Sequence, residues 1–335
     1  MYKLSDIIGH QEMIRTLKHA VQRDRVAHAY LFMGPPRIGK GTVAERFAGS
    51  LLCDEPRDGD ACGLCRSCRQ QSGGNHPDLH RLRPSGASIK IEQIRELQRQ
   101  VQFKPYQSRR QVILMEMVEA MTTEAANCFL KTLEEPVGET VFLLLTHQPQ
   151  ALLPTILSRC QQLALRPLSQ REVAEGLLKL CHLDPQQADK LAALTGGSLG
   201  LAVRLADGSE SWDVRNRVLE MVQRFPEMQK AQALSMAEEL SSDRAAALEG
   251  LGLMLLWFRD LLVYHYTSDP GLLINRDVLD KLGRQSACYA PAGLVAILED
   301  IKQAKDHIEG NANTRLALEV LMLKIHSYGG SYNVR

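Results

Sequence analysis

Aromatic residues are scarce, with Phe, Trp and Tyr together making up 5% of the 335 residues. Leu and Ala dominate the second half instead, which suits a helix-rich chain. Excess charge of either sign is also missing. Lys and Arg number 40 against 39 Asp and Glu, a net charge of +1. A free-standing nucleic-acid-binding protein is usually plainly basic, so this balance argues against one, while leaving room for a DNA-facing role inside a larger assembly. No apolar run approaches the ~18 residues of a membrane span. The start, Met1-Tyr2-Lys3-Leu4-Ser5-Asp6, lacks the pattern of a signal peptide. A cytoplasmic protein without membrane contact is therefore expected. In that compartment its eight cysteines are expected to be reduced or metal-bound rather than paired in disulfides. Low-complexity segments and internal repeats are absent too. The length allows two or three domains and a sizeable core.

What is present alternates in the first half. Ile7 to Val26 reads as a helix following the polar Ser5-Asp6. Ala29 to Met33 is a short apolar run of the kind a buried strand makes, and Thr42 to Leu52 follows as a helix. Ile91, Ile94, Leu97 and Val101 mark one face of another helix. Val112 to Met115 and Val141 to Leu145 read as strands, with the helix Thr123 to Glu135 between them and Pro136 ending it. Leu163 to Leu165 is a short last strand. Such alternation implies a parallel sheet with helices on its faces. After Pro167 come three short helices, Ser169 to Leu180, Pro185 to Leu194 and Ser198 to Leu205. Asp207-Gly208-Ser209 reads as a linker, and from Trp212 onward every periodicity is helical.

Gly34-Pro35-Pro36-Arg37-Ile38-Gly39-Lys40 has the frame of a phosphate-binding loop. Unpaired backbone N–H groups at a helix N-terminus suit phosphate, and Lys40 would reach the outer phosphates. The motif calls next for Ser or Thr to hold Mg²⁺. Gly41 stands there, and Thr42 comes one place late. An ordinary Gly/Pro turn before a helix is the plainer reading, but the flanking strand and helix favour the loop. The strand Val112 to Met115 is followed by Glu116 at the position of the metal-binding acid. Met117 takes the place of a hydrolytic Glu, and a thioether cannot accept a proton. Glu119 is the alternative carboxylate should the register be shifted.

Cys62-Gly63-Leu64-Cys65-Arg66-Ser67-Cys68 holds two C-x₂-C steps, with Cys53 upstream. Four thiolates at these spacings can close around one tetrahedral Zn²⁺ with no open position, which makes the site structural. A disulfide set and an iron–sulfur cluster are the competing readings. His76 and His80 lie nearby and read as surface histidines. Further on, Ser158-Arg159-Cys160 ends the stretch Pro154 to Leu157. Arginine stabilises spread phosphoryl charge and is the residue one subunit commonly lends to its neighbour's site. On spacing alone, a salt-bridged surface arginine is the favoured explanation of Arg159.

Together these residues resemble the delta-prime family of bacterial DNA polymerase III clamp-loader subunits. The matching stretches span roughly the first 205 residues: Ile7-Ile8-Gly9-His10, His28 to Phe32, the cysteine insert, Ala126-Asn127-Cys128-Phe129-Leu130-Lys131-Thr132-Leu133-Glu134-Glu135-Pro136, and Ser158-Arg159-Cys160. Asn311 to Leu316 is a weaker match. The resemblance implies a RecA-like AAA+ α/β domain with a parallel sheet (1–166, carrying a four-cysteine zinc insert at about 53–68). A small helical lid domain (167–207) and an all-α collar domain (208–335) would follow it. It implies that Arg159, with Ser158 and Cys160, is an arginine finger acting in trans. The chain departs from motor subunits at Gly41, at Met117, and at Gly200, where a motor subunit carries an arginine. The implied role is the non-motor stator of the DNA polymerase III holoenzyme, a DNA-directed DNA polymerase complex. Gamma/tau motor and delta subunits would be its partners, and the complex would place the sliding clamp on primed DNA at the nucleoid-associated replisome. Structural Zn²⁺ would sit on Cys53, Cys62, Cys65 and Cys68. Gly34, Gly39, Lys40 and Thr42, with Glu116, would form a degenerate ATP/Mg²⁺ site without hydrolysis, and retained nucleotide binding is left open. An active AAA+ ATPase of the motor type and a zinc-dependent nucleic-acid-binding module are the rival functions. ATP turnover and DNA binding by the isolated chain separate them.

Overall fold

The structure is a computed structural model that describes residues 3–35, 38–86, 88–136, 138–207, 211–310 and 312–329. The chain divides into two compact units, Met1–Gly176 with Gly197–Gly200, and Leu177–Gly196 with Leu201–Arg335. The expected division at 166 and 207 is finer than this, and Gly208 and Ser209 of the expected linker lie outside the described residues.

The first unit is built on a five-stranded sheet, β1 (Ala29–Met33), β2 (Leu79–Leu82), β3 (Gln111–Met115), β4 (Thr140–Thr146) and β5 (Gln161–Ala164), in the order β2-β3-β4-β1-β5. Every pairing is parallel. Parallel strands need helical crossovers, so both sheet faces are covered and central strands read as continuous apolar runs. The period of two then divides each strand between two cores. Tyr30, Phe32, Val112, Leu114, Val141 and Leu143 face α1 (Gln11–Gln22) and α2 (Lys40–Leu52). Ala29, Leu31, Ile113, Met115, Phe142 and Leu144 face α4 (Ile91–Val101), α5 (Thr123–Glu134) and α6 (Pro154–Leu157). The short helix α3 (Arg66–Ser72) belongs to the cysteine insert. Tyr30 packs edge-on against Phe47 at 5.0 Å, and Phe129 against Phe142 at 5.4 Å. Each such buried aromatic contributes about 1.5–3 kcal/mol from burial alone. Thr122 caps α5 by accepting the N–H of Ala125 at 3.2 Å.

The structure corrects one sequence expectation and adds a strand that none had named. The helix expected over Ile7 to Val26 is shorter, because Gly9 and His10 both take left-handed conformations. They separate a 3-10 turn, Leu4–Asp6, from α1. The strand β2 has no apolar run to announce it because it lies at the sheet edge. Its ends, Leu79 and Leu82, are buried, and its middle, His80 and Arg81, is polar.

The helices after the sheet are α7 (Gln170–Cys181), α8 (Pro185–Ala193), α9 (Leu199–Ala206), α10 (Ser211–Arg224), α11 (Lys230–Leu240), α12 (Arg244–Thr267), α13 (Leu279–Ser286), α14 (Pro291–Glu309) and α15 (Thr314–Gly329). In the second unit α12 packs against α10, α13 and α14, and α11 against α15. A helix surrounded on several sides is apolar around much of its girth, and Met254, Trp257, Phe258 and Leu261 of α12 are all buried. Gln285 links two parts of this core by hydrogen bonds. Trp257 Nε1 donates to Gln285 Oε1 at 2.9 Å, and Gln285 Nε2 donates to the carbonyl of Val222 at 2.6 Å.

Candidate functional site

The loop after β1 has the expected strand–loop–helix setting. Gly39 begins α2 with φ of 99°, a conformation that only glycine adopts without strain. Gly34 sits so close to β5's exit that a Cβ would lie 2.6 Å from the carbonyl oxygen of Leu165. Pro36 and Arg37 are outside the described residues. The ammonium of Lys40 is directed at the loop itself, donating to the carbonyls of Gly34 at 2.6 Å and Pro35 at 2.7 Å. Burial pushes its pKa down, and the nearby Glu119 carboxylate opposes this. A phosphate would have to compete with these carbonyls for Lys40. Gly41 lies in the first turn of α2, and Thr42 is exposed.

Glu116 follows β3 as expected, but its Oε1 is held by Arg83 through Nε at 2.8 Å and Nη2 at 2.7 Å. Met117 has φ of 54° and a half-exposed side chain, so no acid-base group stands there. Glu119, in the 3-10 turn Val118–Ala120 after β3, has a side chain 6% exposed. Its Oε1 pairs with the ring of His147 and lies 3.4 Å from that residue's N–H, while Oε2 is buried without a partner among the described residues. Burial pushes the Glu119 pKa up, but hydrogen bonds from His147 and Thr146 outweigh it and hold the value below the ordinary range.

The four cysteines come together. Their Sγ atoms all lie within 4.8 Å of one another, with Cys53–Cys65 and Cys62–Cys68 at 3.9 Å and Cys53–Cys68 at 3.6 Å. A tetrahedral ion with metal–sulfur bonds of about 2.3 Å places its thiolates roughly 3.8 Å apart, so the set fits a metal. None of the four is in a disulfide. Backbone N–H groups point at the sulfurs: Cys62 to Cys53 at 3.2 Å, Gly63 to Cys68 at 3.3 Å, and Cys68 to Cys65 at 3.4 Å. Such donors favour thiolate over thiol. Hydrogen bonding from Leu64 and Cys65 lowers the Cys62 pKa to about 6, while burial pushes Cys53 up to about 11 and raises Cys68. The cluster is anchored by Asp60, whose buried carboxylate accepts the N–H groups of Leu4 and Ser5 at 2.7 and 2.9 Å.

Arg159 follows α6, just before β5. Its Nη1 donates to the carbonyl of Thr155 at 3.0 Å and to Ser158 Oγ at 3.4 Å, and its Nη2 meets Glu134 Oε1 at 2.5 Å. Ser158 Oγ in turn donates to the Thr155 carbonyl at 3.2 Å. Cys160 packs on the sheet's second core, and burial raises its thiol to about 11. β1 and β5 are parallel neighbours with Tyr30 beside Gln161 and Met33 beside Ala164. The phosphate-type loop therefore leaves the C-terminal end of this pair, and Arg159 precedes its N-terminal end. At about 3.3 Å per residue the two are on the order of 15 Å apart along the strands.

With this geometry in hand, known proteins bear comparison. The family described as DNA polymerase III, delta subunit, matches residues 9–169, and DNA polymerase III, delta subunit, C terminal, matches residues 209–327. The DNA polymerase III subunit delta' of Pseudomonas aeruginosa is 38% identical, covering 92% of this chain and 94% of that protein. The chain belongs to the DNA polymerase III delta' family. The delta' subunit of Bacillus subtilis is 30% identical over 93% of this chain and 95% of its own. A solved gamma subunit-related protein from Thermotoga maritima aligns at 19% identity over 94% of this chain and 98% of its own, with a TM-score of 0.46.

In this delta' family member several participants are invisible in the sequence. His76 is buried rather than superficial: its Nδ1 accepts the N–H of Asp78 at 3.1 Å, and its Nε2 lies 3.3 Å from Ser108 Oγ. Asp78 holds the segment after α4 by accepting the N–H groups of Tyr106, Gln107 and Ser108. His80 is half-buried, and burial lowers its pKa. The pairs Glu116–Arg83, Glu119–His147 and Glu134–Arg159 join residues distant in sequence, and no local pattern announces them.

Proposed function

We propose that this delta' family member is the non-motor, stator subunit of a bacterial replicative clamp loader, lending Arg159 to the ATP site of an adjacent motor subunit. The observation that carries the reading is the placement of Arg159 at the opposite end of β1 and β5 from its own loop. A guanidinium there is out of reach of a nucleotide held by Lys40, but it lies beside an edge strand where a neighbour's site can meet it. Met117 and the loop-bound Lys40 support the absence of hydrolysis in cis. ATP/Mg²⁺ at Gly34, Gly39, Lys40, Thr42 and Glu116 would have to displace the contacts of Lys40 and Arg83. A structural Zn²⁺ is assigned to Cys53, Cys62, Cys65 and Cys68, and its chemistry is to cross-link the insert rather than to polarise a substrate.

The domain plan is an AAA+ domain over 1–166, a helical lid over 167–207 and a collar over 208–335. An exposed apolar stripe on α15, Leu316, Val320 and Leu323, supports assembly through the collar, since such stripes mark interaction surfaces. The partners are gamma/tau motor and delta subunits in the cytoplasmic DNA polymerase III holoenzyme. The sliding clamp and primer-template DNA are engaged through the complex.

The test is reconstitution with motor and delta subunits from the same organism. Arg159→Ala should leave this chain folded and assembled but impair clamp loading and ATP hydrolysis at one interface. Arginine fingers contribute roughly 10³–10⁵ in rate. Arg159→Lys should restore little, because a point charge lacks the bidentate fork. Normal clamp loading by the assembled Arg159→Ala complex overturns the reading. So does ATP turnover by the isolated chain clearly above a Lys40→Ala control.

A further inference from the structure

We propose that Glu134 is the positioning residue for Arg159, fixing the plane of its guanidinium so that the remaining donors face a neighbouring subunit's phosphates. This rests on the trans role of Arg159. A guanidinium has five N–H donors in a rigid plane. Nη1 is held by the Thr155 carbonyl and Ser158 Oγ, both at the end of α6, within the same turn of chain as Arg159 itself. Contacts to that one nitrogen, one of them 3.4 Å long, restrain the plane less than a second anchored nitrogen does. The second fixed point is Glu134 Oε1 at Nη2, 2.5 Å away. Nε–H and the other Nη2 hydrogen have no partner among the described residues, so one edge of the fork stays open. The Arg159 side chain is 35% exposed and that of Glu134 47%, so the open edge is accessible.

The position of Glu134 reinforces the hold. It is the last residue of α5, and a helix C-terminus favours a nearby cation. Two helix ends therefore converge on the guanidinium, and the carboxylate adds a charge-assisted bond of the short, directional kind. Such a half-exposed ion pair contributes little to stability. Its consequence is therefore read in orientation rather than in folding. Orientation matters in phosphoryl transfer, where a misplacement of about 1 Å can cost on the order of a hundredfold.

The experiment is a double-mutant cycle in the reconstituted complex. The motor subunits would carry substitutions of their own finger arginines, so that turnover reports this interface. Glu134→Ala is expected to lower kcat for ATP by about ten- to a hundredfold with KM unchanged, the pattern of an interaction made in the transition state. Glu134→Gln keeps the acceptor oxygen and should restore most of that loss. Adding Glu134→Ala to Arg159→Ala should cost nothing more, because the two act as one unit. Isolated Glu134→Ala should unfold at the same temperature and keep its metal content. Unmodified turnover by Glu134→Ala, or a full further loss in the double variant, overturns the proposal while leaving the role of Arg159 standing. If Arg159→Ala itself turns over ATP normally, the reading of Arg159 falls and this proposal falls with it.

Discussion

Asp60, beside the clustered cysteines, accepts the backbone N–H of Leu4 at 2.7 Å. The same carboxylate takes the N–H of Ser5 at 2.9 Å and lies 3.7 Å from the ammonium of Lys18 in α1. The cysteine insert is thereby tied to the start of the chain and to the first helix. Replacing Asp60 by Ala removes the acceptor of three backbone donors, the N–H groups of Leu4, Ser5 and Ala61, the first and last of them buried. Each of the two buried donors costs about 1–3 kcal/mol when orphaned, whereas that of Ser5 can turn to water, so Asp60→Ala should destabilise the first unit by roughly 2–6 kcal/mol. Asp60→Asn keeps one acceptor oxygen and should recover about half. Urea unfolding followed by tyrosine fluorescence measures this. A change under about 0.5 kcal/mol, the range of ordinary surface substitutions, would mean that the anchor is incidental.

The cysteine cluster should carry about one metal ion per chain, as a closed four-thiolate site does. Cys65→Ser should lose that ion and lower thermal stability, because metal affinity and local folding are coupled. Chelation of the unmodified protein should produce the same shift, reversed by added Zn²⁺. The helices of the second unit should survive both treatments, which circular dichroism would register as modest loss of signal. A visible iron–sulfur absorbance band, or unchanged stability after the metal is stripped, would refute the structural zinc.

The Glu119–His147 pair carries a pH signature. Burial alone would raise the Glu119 pKa, but hydrogen bonds from His147 and Thr146 leave it below the ordinary 4.5. A carboxylate depressed on folding stabilises the native state above its unfolded pKa, and that stability is lost as pH falls through the folded value. The stability difference between the unmodified protein and Glu119→Gln should therefore shrink as pH drops below about 4.5. Denaturant titrations at several pH values give the curve. A difference that grows toward acid pH would show that the assigned sign is wrong.

How far the sequence reveals these features depends on whether they are local. β1, β3 and β4 are legible because both faces of a parallel sheet are covered, so Ala29–Met33 and its counterparts are largely apolar. β2 is not, because its edge position lets His80 and Arg81 interrupt the run. The start of α1 is hidden by His10, a non-glycine residue in a left-handed conformation. The cysteines are legible as a group because most of the site is written in one short loop. The family resemblance singles out Arg159 but says nothing of its partner. Glu134 is one of 39 acidic residues, and only the meeting of the ends of α5 and α6 chooses it. The same holds for Glu119, whose partner His147 stands at the end of a different strand.

Gly41 offers a test of whether the altered phosphate loop is a packing requirement or a functional loss. It lies in the first turn of α2, where a glycine without special backbone geometry weakens a helix by up to about 1 kcal/mol relative to Ala. A Cβ built there meets nothing closer than Leu145 Cδ1 at 3.9 Å, ordinary van der Waals contact. The fold therefore accepts a side chain, and Gly41→Ala should raise stability by about 0.5–1 kcal/mol. Gly41→Ser should be neutral to mildly stabilising, and it places a hydroxyl where the motif expects a Mg²⁺ ligand. Turnover should nonetheless stay at the level of a Lys40→Ala control, because Met117 still supplies no base and Lys40 still faces the carbonyls of Gly34 and Pro35. Calorimetric unfolding and a coupled ATPase assay on the same preparations answer both halves. Destabilisation beyond about 1 kcal/mol would show that the glycine is needed for packing. Hydrolysis appearing with Gly41→Ser alone would show that this one hydroxyl was all the loop had lost.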